Sequence, residues 1–119
     1  MWKFAKPEFK KEEFACSCCG RAEMDGRFIH MLATARRKAG IPFIINSGYR
    51  CPAHNAAVGS TSMNHVSGKA ADIACVGSPE RWTMIDALIQ AGFRRIGIAP
   101  LFIHVDSMDA SDAIWLYKT

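Results

Sequence analysis

The chain has 119 residues, half of them apolar and 22% charged, with a net charge of +4. That balance describes one globular domain, residues 1–119, able to bury its own core without staples, and it is globular rather than disordered. No apolar run approaches the roughly 20 residues that span a bilayer, and the scattered basic residues make no nucleic-acid patch.

In chain order, residues 1–20 read as an irregular arm, with Phe4, Phe9 and Phe14 at equal spacing as anchors onto the core. Lys3 and Lys6 interrupt any secretory apolar run, so synthesis in the cytoplasm without a signal peptide is expected. The pattern predicts a helix over 25–39, capped by Asp25, apolar at Phe28, Leu32, Ala35 and Ala39, and ended by Gly40. Arg36, Arg37 and Lys38 suit the negative end of its dipole. His30 falls off the apolar stripe and reads as a surface residue.

A strand is expected over 43–47, a loop over 48–52, one helical turn over 53–58, and a strand over 70–76. Ser78 and Pro79 predict a helix start, with Trp82, Ile85, Leu88 and Ile89 as its buried face and Gly92 closing it. Strands follow over 93–98, 101–106 and 114–117. The expected fold is α+β, a small and mainly antiparallel sheet with helices packed on it.

Five cysteines occur, at 16, 18, 19, 51 and 75. An odd count argues against a disulfide framework. Cys16, Cys18 and Cys19 are able to hold a structural zinc with Cys51 or Cys75, or to serve as small apolar residues, and the spacing alone leaves both readings open.

Two segments carry the chemistry. His65 and Asp72 are separated by Gly68, which permits a sharp turn, and by Ala70 and Ala71, which permit close backbone approach. Downstream, His104 and Asp106 stand two apart in an apolar run, so a strand projects both to one side while Ile103 and Val105 face the core. An imidazole and a carboxylate in such surroundings need hydrogen bonds, pairing or a metal. A hydrolytic zinc site takes three protein ligands and keeps a further position open.

Residues 65–72 fit His-x-x-Gly-x-Ala-x-Asp, and with Ser47-Gly48-Tyr49-Arg50, His54-Asn55 and Phe102-Ile103-His104-Val105-Asp106 the chain resembles the zinc D-alanyl-D-alanine carboxypeptidase family. That family also includes phage peptidoglycan endopeptidases. Glu13-Phe14, Cys16 and Cys19-Gly20 resemble its short, single-domain branch. The resemblance implies one catalytic Zn2+ held by His65, Asp72 and His104. It implies Arg50 as the group that holds the substrate carbonyl or carboxylate, and Asp106 as general base. An alternative makes His104 the acid/base and Asp106 the third ligand. Other branches place a carboxylate three residues before the last histidine, where this chain has Leu101. The signature begins Ser-x-His, whereas this chain has Met63-Asn64-His65 with Ser62 shifted by one.

The expected activity is zinc-dependent hydrolysis of bonds involving D-amino acids in peptidoglycan stem peptides or cross-links, as in a phage endolysin. The expected partner is a peptidoglycan peptide met at the cell wall by a monomer, with no nucleic acid and no membrane insertion. Two other classes remain: an inactive zinc-containing wall-binding or phage structural module, and a zinc-ribbon-like interaction domain built on the cysteines.

Overall fold

The computed structural model describes residues 8–60 and 62–117. The expected anchor Phe4 lies outside them; Phe9 and Phe14 are both buried and meet edge to face with ring centroids 5.3 Å apart. A short 3-10 turn, Lys11–Phe14, delivers Phe14 to the core. There its Cα would stand 2.7 Å from any Cβ on Gly48, so a glycine is required where the arm crosses.

Helix α1 spans Gly26–Ala39 as its caps dictate. The Asp25 carboxylate accepts the Phe28 amide at 2.9 Å, and Gly40 ends the helix in the left-handed region at φ 69°. Its buried side holds the predicted Phe28, Leu32 and Ala35, widened by Ile29 and Ala33. His30 is exposed, as expected.

Strand β1 (Ile45–Ser47) is followed by the short helix α2 (Pro52–Ala57), strand β2 (Ala70–Ala74) and helix α3 (Ser78–Gln90). Strands β3 (Arg95–Ile98), β4 (Phe102–Asp106) and β5 (Ala113–Leu116) complete the chain. They form one five-stranded sheet in the order β1-β2-β4-β3-β5. All pairings are antiparallel except β3 with β5, which is parallel. The Arg94 guanidinium grips Asp112 through Nε and Nη2, and the Ala113 amide donates to the Arg94 carbonyl, which starts β5 beside β3.

Two expectations for α3 are corrected. Gly77, not Ser78, is the N-cap, and Ser78 is already helical. Its buried residues are Met84, Ala87 and Leu88, while Trp82 is 72% exposed and Ile89 51% exposed. Leu88 is buried as expected and Ile85 packs against the core, while Met84 and Ala87 take the buried places expected of Trp82 and Ile89. Phe28 and Phe93 close this core edge to face, against Ile73, Ile103 and Val105 of the sheet.

Candidate metal centre

The site is built on the opposite face of β2 and β4. Their register places Asp72 directly across from His104, and Asp106 across from Ala70. Alternation then puts Ile103 and Val105 wholly into the core and turns His104 and Asp106 the other way. His65 arrives from a turn that Gly68 closes at φ 76°, where a Cβ would lie 2.1 Å from the Glu23 carbonyl oxygen. The Gly68 carbonyl in turn accepts the Asp25 amide, tying this turn to the start of α1.

His65, Asp72 and His104 converge, each offering one donor atom within 4.8 Å of the others. His65 Nε2 is 3.4 Å from Asp72 Oδ1, and His104 Nδ1 is 2.9 Å from the same oxygen. Donor atoms around a tetrahedral zinc stand about 3.3–3.5 Å apart, so the set fits the ion.

The ring tautomers fit as well. His65 Nδ1 donates to the Gly48 carbonyl at 2.9 Å, which leaves Nε2 with its lone pair toward Asp72. His104 Nε2 lies 2.7 Å from Asp106 Oδ2 and donates to it, which leaves Nδ1 with its lone pair toward Asp72. Carboxylate and carbonyl partners of this kind orient histidine ligands in zinc sites.

Electrostatics follow the same contacts. Without the metal, when the rings carry a second proton and donate to Asp72, burial alone would raise the Asp72 pKa but hydrogen bonds from His104 and His65 bring it down to about 2. Burial alone would lower that of His104, but its bonds to Asp106 and Asp72 raise it. Asp106 is fully buried and takes bonds from four donors: His104 Nε2, Arg95 Nε at 2.7 Å, Asn64 Nδ2 at 3.2 Å and the Met108 amide at 3.1 Å. Despite burial, its pKa is lowered.

Arg50 is half-buried at the end of the Ser47–Arg50 segment. It donates to Asn55 Oδ1 at 3.1 Å and to Ser47 Oγ at 3.3 Å, and its amide donates to the His65 carbonyl. Ser62 does not reach Asp106; its carbonyl accepts from Asn55 and its Oγ from the Asn64 amide.

Residues 7–106 match the model of the family described as Peptidase M15. The chain belongs to the peptidase M15 family. That family is of the zinc D-alanyl-D-alanine carboxypeptidase type, and membership implies a zinc metallopeptidase acting on peptidoglycan in general. No curated protein matches the chain.

Four residues around the M15 site escaped the sequence reading. Arg95 and Asn64 pair with Asp106, and Trp115 and Tyr117 wall the His104 ring at centroid distances of 5.5 Å and 6.4 Å. The aromatic pair reaches His104 over Gly97, where a Cβ would stand 2.6 Å from both Trp115 Nε1 and Tyr117 Cε2. Burial raises the Tyr117 pKa. A glycine paired with His104 on the neighbouring strand was the available signal.

Proposed function

We propose that this M15 peptidase hydrolyses a bond beside a D-amino acid in peptidoglycan stem peptides or cross-links, acting at the bacterial cell wall as an endolysin-type monomer. The observation that carries the reading is the convergence of His65, Asp72 and His104, with ring tautomers already set for a metal. When bound, zinc acts as a Lewis acid toward water and the scissile carbonyl.

Arg50 holds the substrate. A guanidinium has five N–H donors, and Asn55 and Ser47 engage only two of the groups, so others remain for a carbonyl or a terminal carboxylate. Its fixed position also suits the negative charge that develops on the carbonyl oxygen. Trp115 and Tyr117 supply the apolar wall beside the reacting bond, and the Tyr117 hydroxyl stays protonated at neutral pH.

The sequence casts Asp106 as general base. Its surroundings favour a positioning role instead, because a carboxylate enclosed by four donors and held acidic is a weak proton acceptor. In this assignment Asp106 fixes the His104 tautomer, Arg95 and Asn64 fix Asp106, and His104 rather than Asp106 is the third ligand.

Digestion of purified peptidoglycan with mass analysis of the products tests the proposal. Release of free D-alanine identifies a carboxypeptidase, and cleaved cross-links with new amines identify an endopeptidase. Unaltered wall of several chemotypes would overturn the proposal in favour of a wall-binding module.

A further inference from the structure

A second cluster of metal-ligating side chains lies outside the peptidase site. We propose that Cys16, Cys18, Cys19 and Cys51 hold a structural zinc ion that fastens the N-terminal arm to the loop carrying Arg50.

The four thiols come from two segments more than thirty residues apart, yet their sulfurs all lie within 4.8 Å of one another. Cys18 and Cys51 are 3.1 Å apart and Cys16 and Cys18 are 3.6 Å apart. Sulfurs around a tetrahedral zinc stand about 3.8 Å apart, given Zn–S near 2.3 Å. Small local shifts therefore seat the ion.

The backbone is shaped for the same purpose. Gly20, at φ 75°, closes a tight turn in which its amide donates to the Cys16 carbonyl and the Cys16 amide donates to Arg21. That turn wraps Cys16, Cys18 and Cys19 around one point. Amide N–H groups also aim at the sulfurs: Cys51 donates to Cys16 Sγ, and His54 to Cys51 Sγ, both at 3.4 Å. Such donors stabilise thiolate, the form that binds metal.

The fifth cysteine supplies an internal contrast. Cys75 is buried among apolar residues of the core and stands outside the cluster. Cys18 and Cys19 are exposed, which small apolar fillers would not be and which gives an ion access. With four protein sulfurs the coordination is closed, so the site is structural.

Its consequence falls on the active centre. Cys51 follows Arg50 directly, and the Tyr49 amide donates to the Phe14 carbonyl beside it. The ion would hold both strands of this crossing together and so fix where Arg50 starts.

Metal analysis of the full chain, purified under reducing conditions, tests the site. Two zinc ions per chain are expected in the wild type, one in His65→Ala, and one in the double variant Cys18→Ser, Cys19→Ser. Cobalt(II) reconstitution should give a thiolate charge-transfer band in the wild type and His65→Ala that is absent from the double variant. A mercurial that blocks thiols should release one of the two ions from the wild type, which needs no folded variant. One zinc in the wild type that the mercurial leaves bound would overturn the proposal. So would a Cys18–Cys51 disulfide, seen by mass, in freshly reduced and reloaded protein.

Discussion

His104 Nε2 donates to Asp106 Oδ2 at 2.7 Å, while Nδ1 of the same ring faces Asp72 Oδ1 at 2.9 Å. One imidazole thus spans two carboxylates with different duties. If Asp106 positions the ring, Asp106→Asn should weaken zinc binding by roughly 10–100-fold and restore most turnover at saturating zinc. A base would show the opposite split: turnover lost at full occupancy. Zinc titration followed by kcat at saturation separates the two.

The pair also sets a pH window in metal-stripped protein. The Asp72 pKa falls from 3.8 to about 2 on folding, so its contribution is present above 3.8 and lost as pH falls toward 2. That of His104 rises from 6.5, so its contribution is fully present below 6.5 and lost as pH climbs through the raised value. Melting of EDTA-treated protein, compared with Asp72→Asn, should show the largest difference between pH 3.8 and 6.5. A difference that does not shrink as pH rises above 6.5 through the His104 titration would contradict this.

Arg50→Ala should lower kcat/KM by about 10²–10³-fold, the usual cost of removing one donor to a developing oxyanion, with zinc content unchanged. Arg50→Lys should recover little, because an ammonium cannot reproduce a fork held by Asn55 and Ser47. Kinetics on a D-alanyl-D-alanine peptide, with metal analysis in parallel, measures both.

Gly68→Ala combines a positive φ with a Cβ placed 2.1 Å from a backbone oxygen, so relaxation is blocked on both counts. A loss of about 2–4 kcal/mol is expected from strain plus overpacking. Urea unfolding of the zinc-loaded variant checks it, and a change below about 0.5 kcal/mol would mean that the turn is not held as described.

Much of this was legible before folding. Asp25 and Gly40 bracketed α1, and the two-residue step from His104 to Asp106 placed both on one face. Gly68 marked the turn that brings His65 back to Asp72. What escaped depended on contacts distant in sequence. Arg95 looked like one more scattered cation until the β3–β4 register set it across from Asp106. Trp82 looked like core because it is large, whereas Met84, Ala87 and Leu88 are the buried residues of α3. The arrangement of Trp115 and Tyr117 required the parallel pairing of β5, which no local pattern announces.

That pairing has a further consequence. β5 lies at the rim of the sheet and beyond the matched residues 7–106, whereas the ligands sit on β2, on β4 and in the turn before β2. The aromatic wall beside His104 and the candidate metal ligands therefore occupy separate lengths of chain. Substituting Trp115 and Tyr117 alone alters that wall without touching a ligand, whereas the Met108 amide and the Ser111 carbonyl, on the same length of chain, also support Asp106 and Arg95.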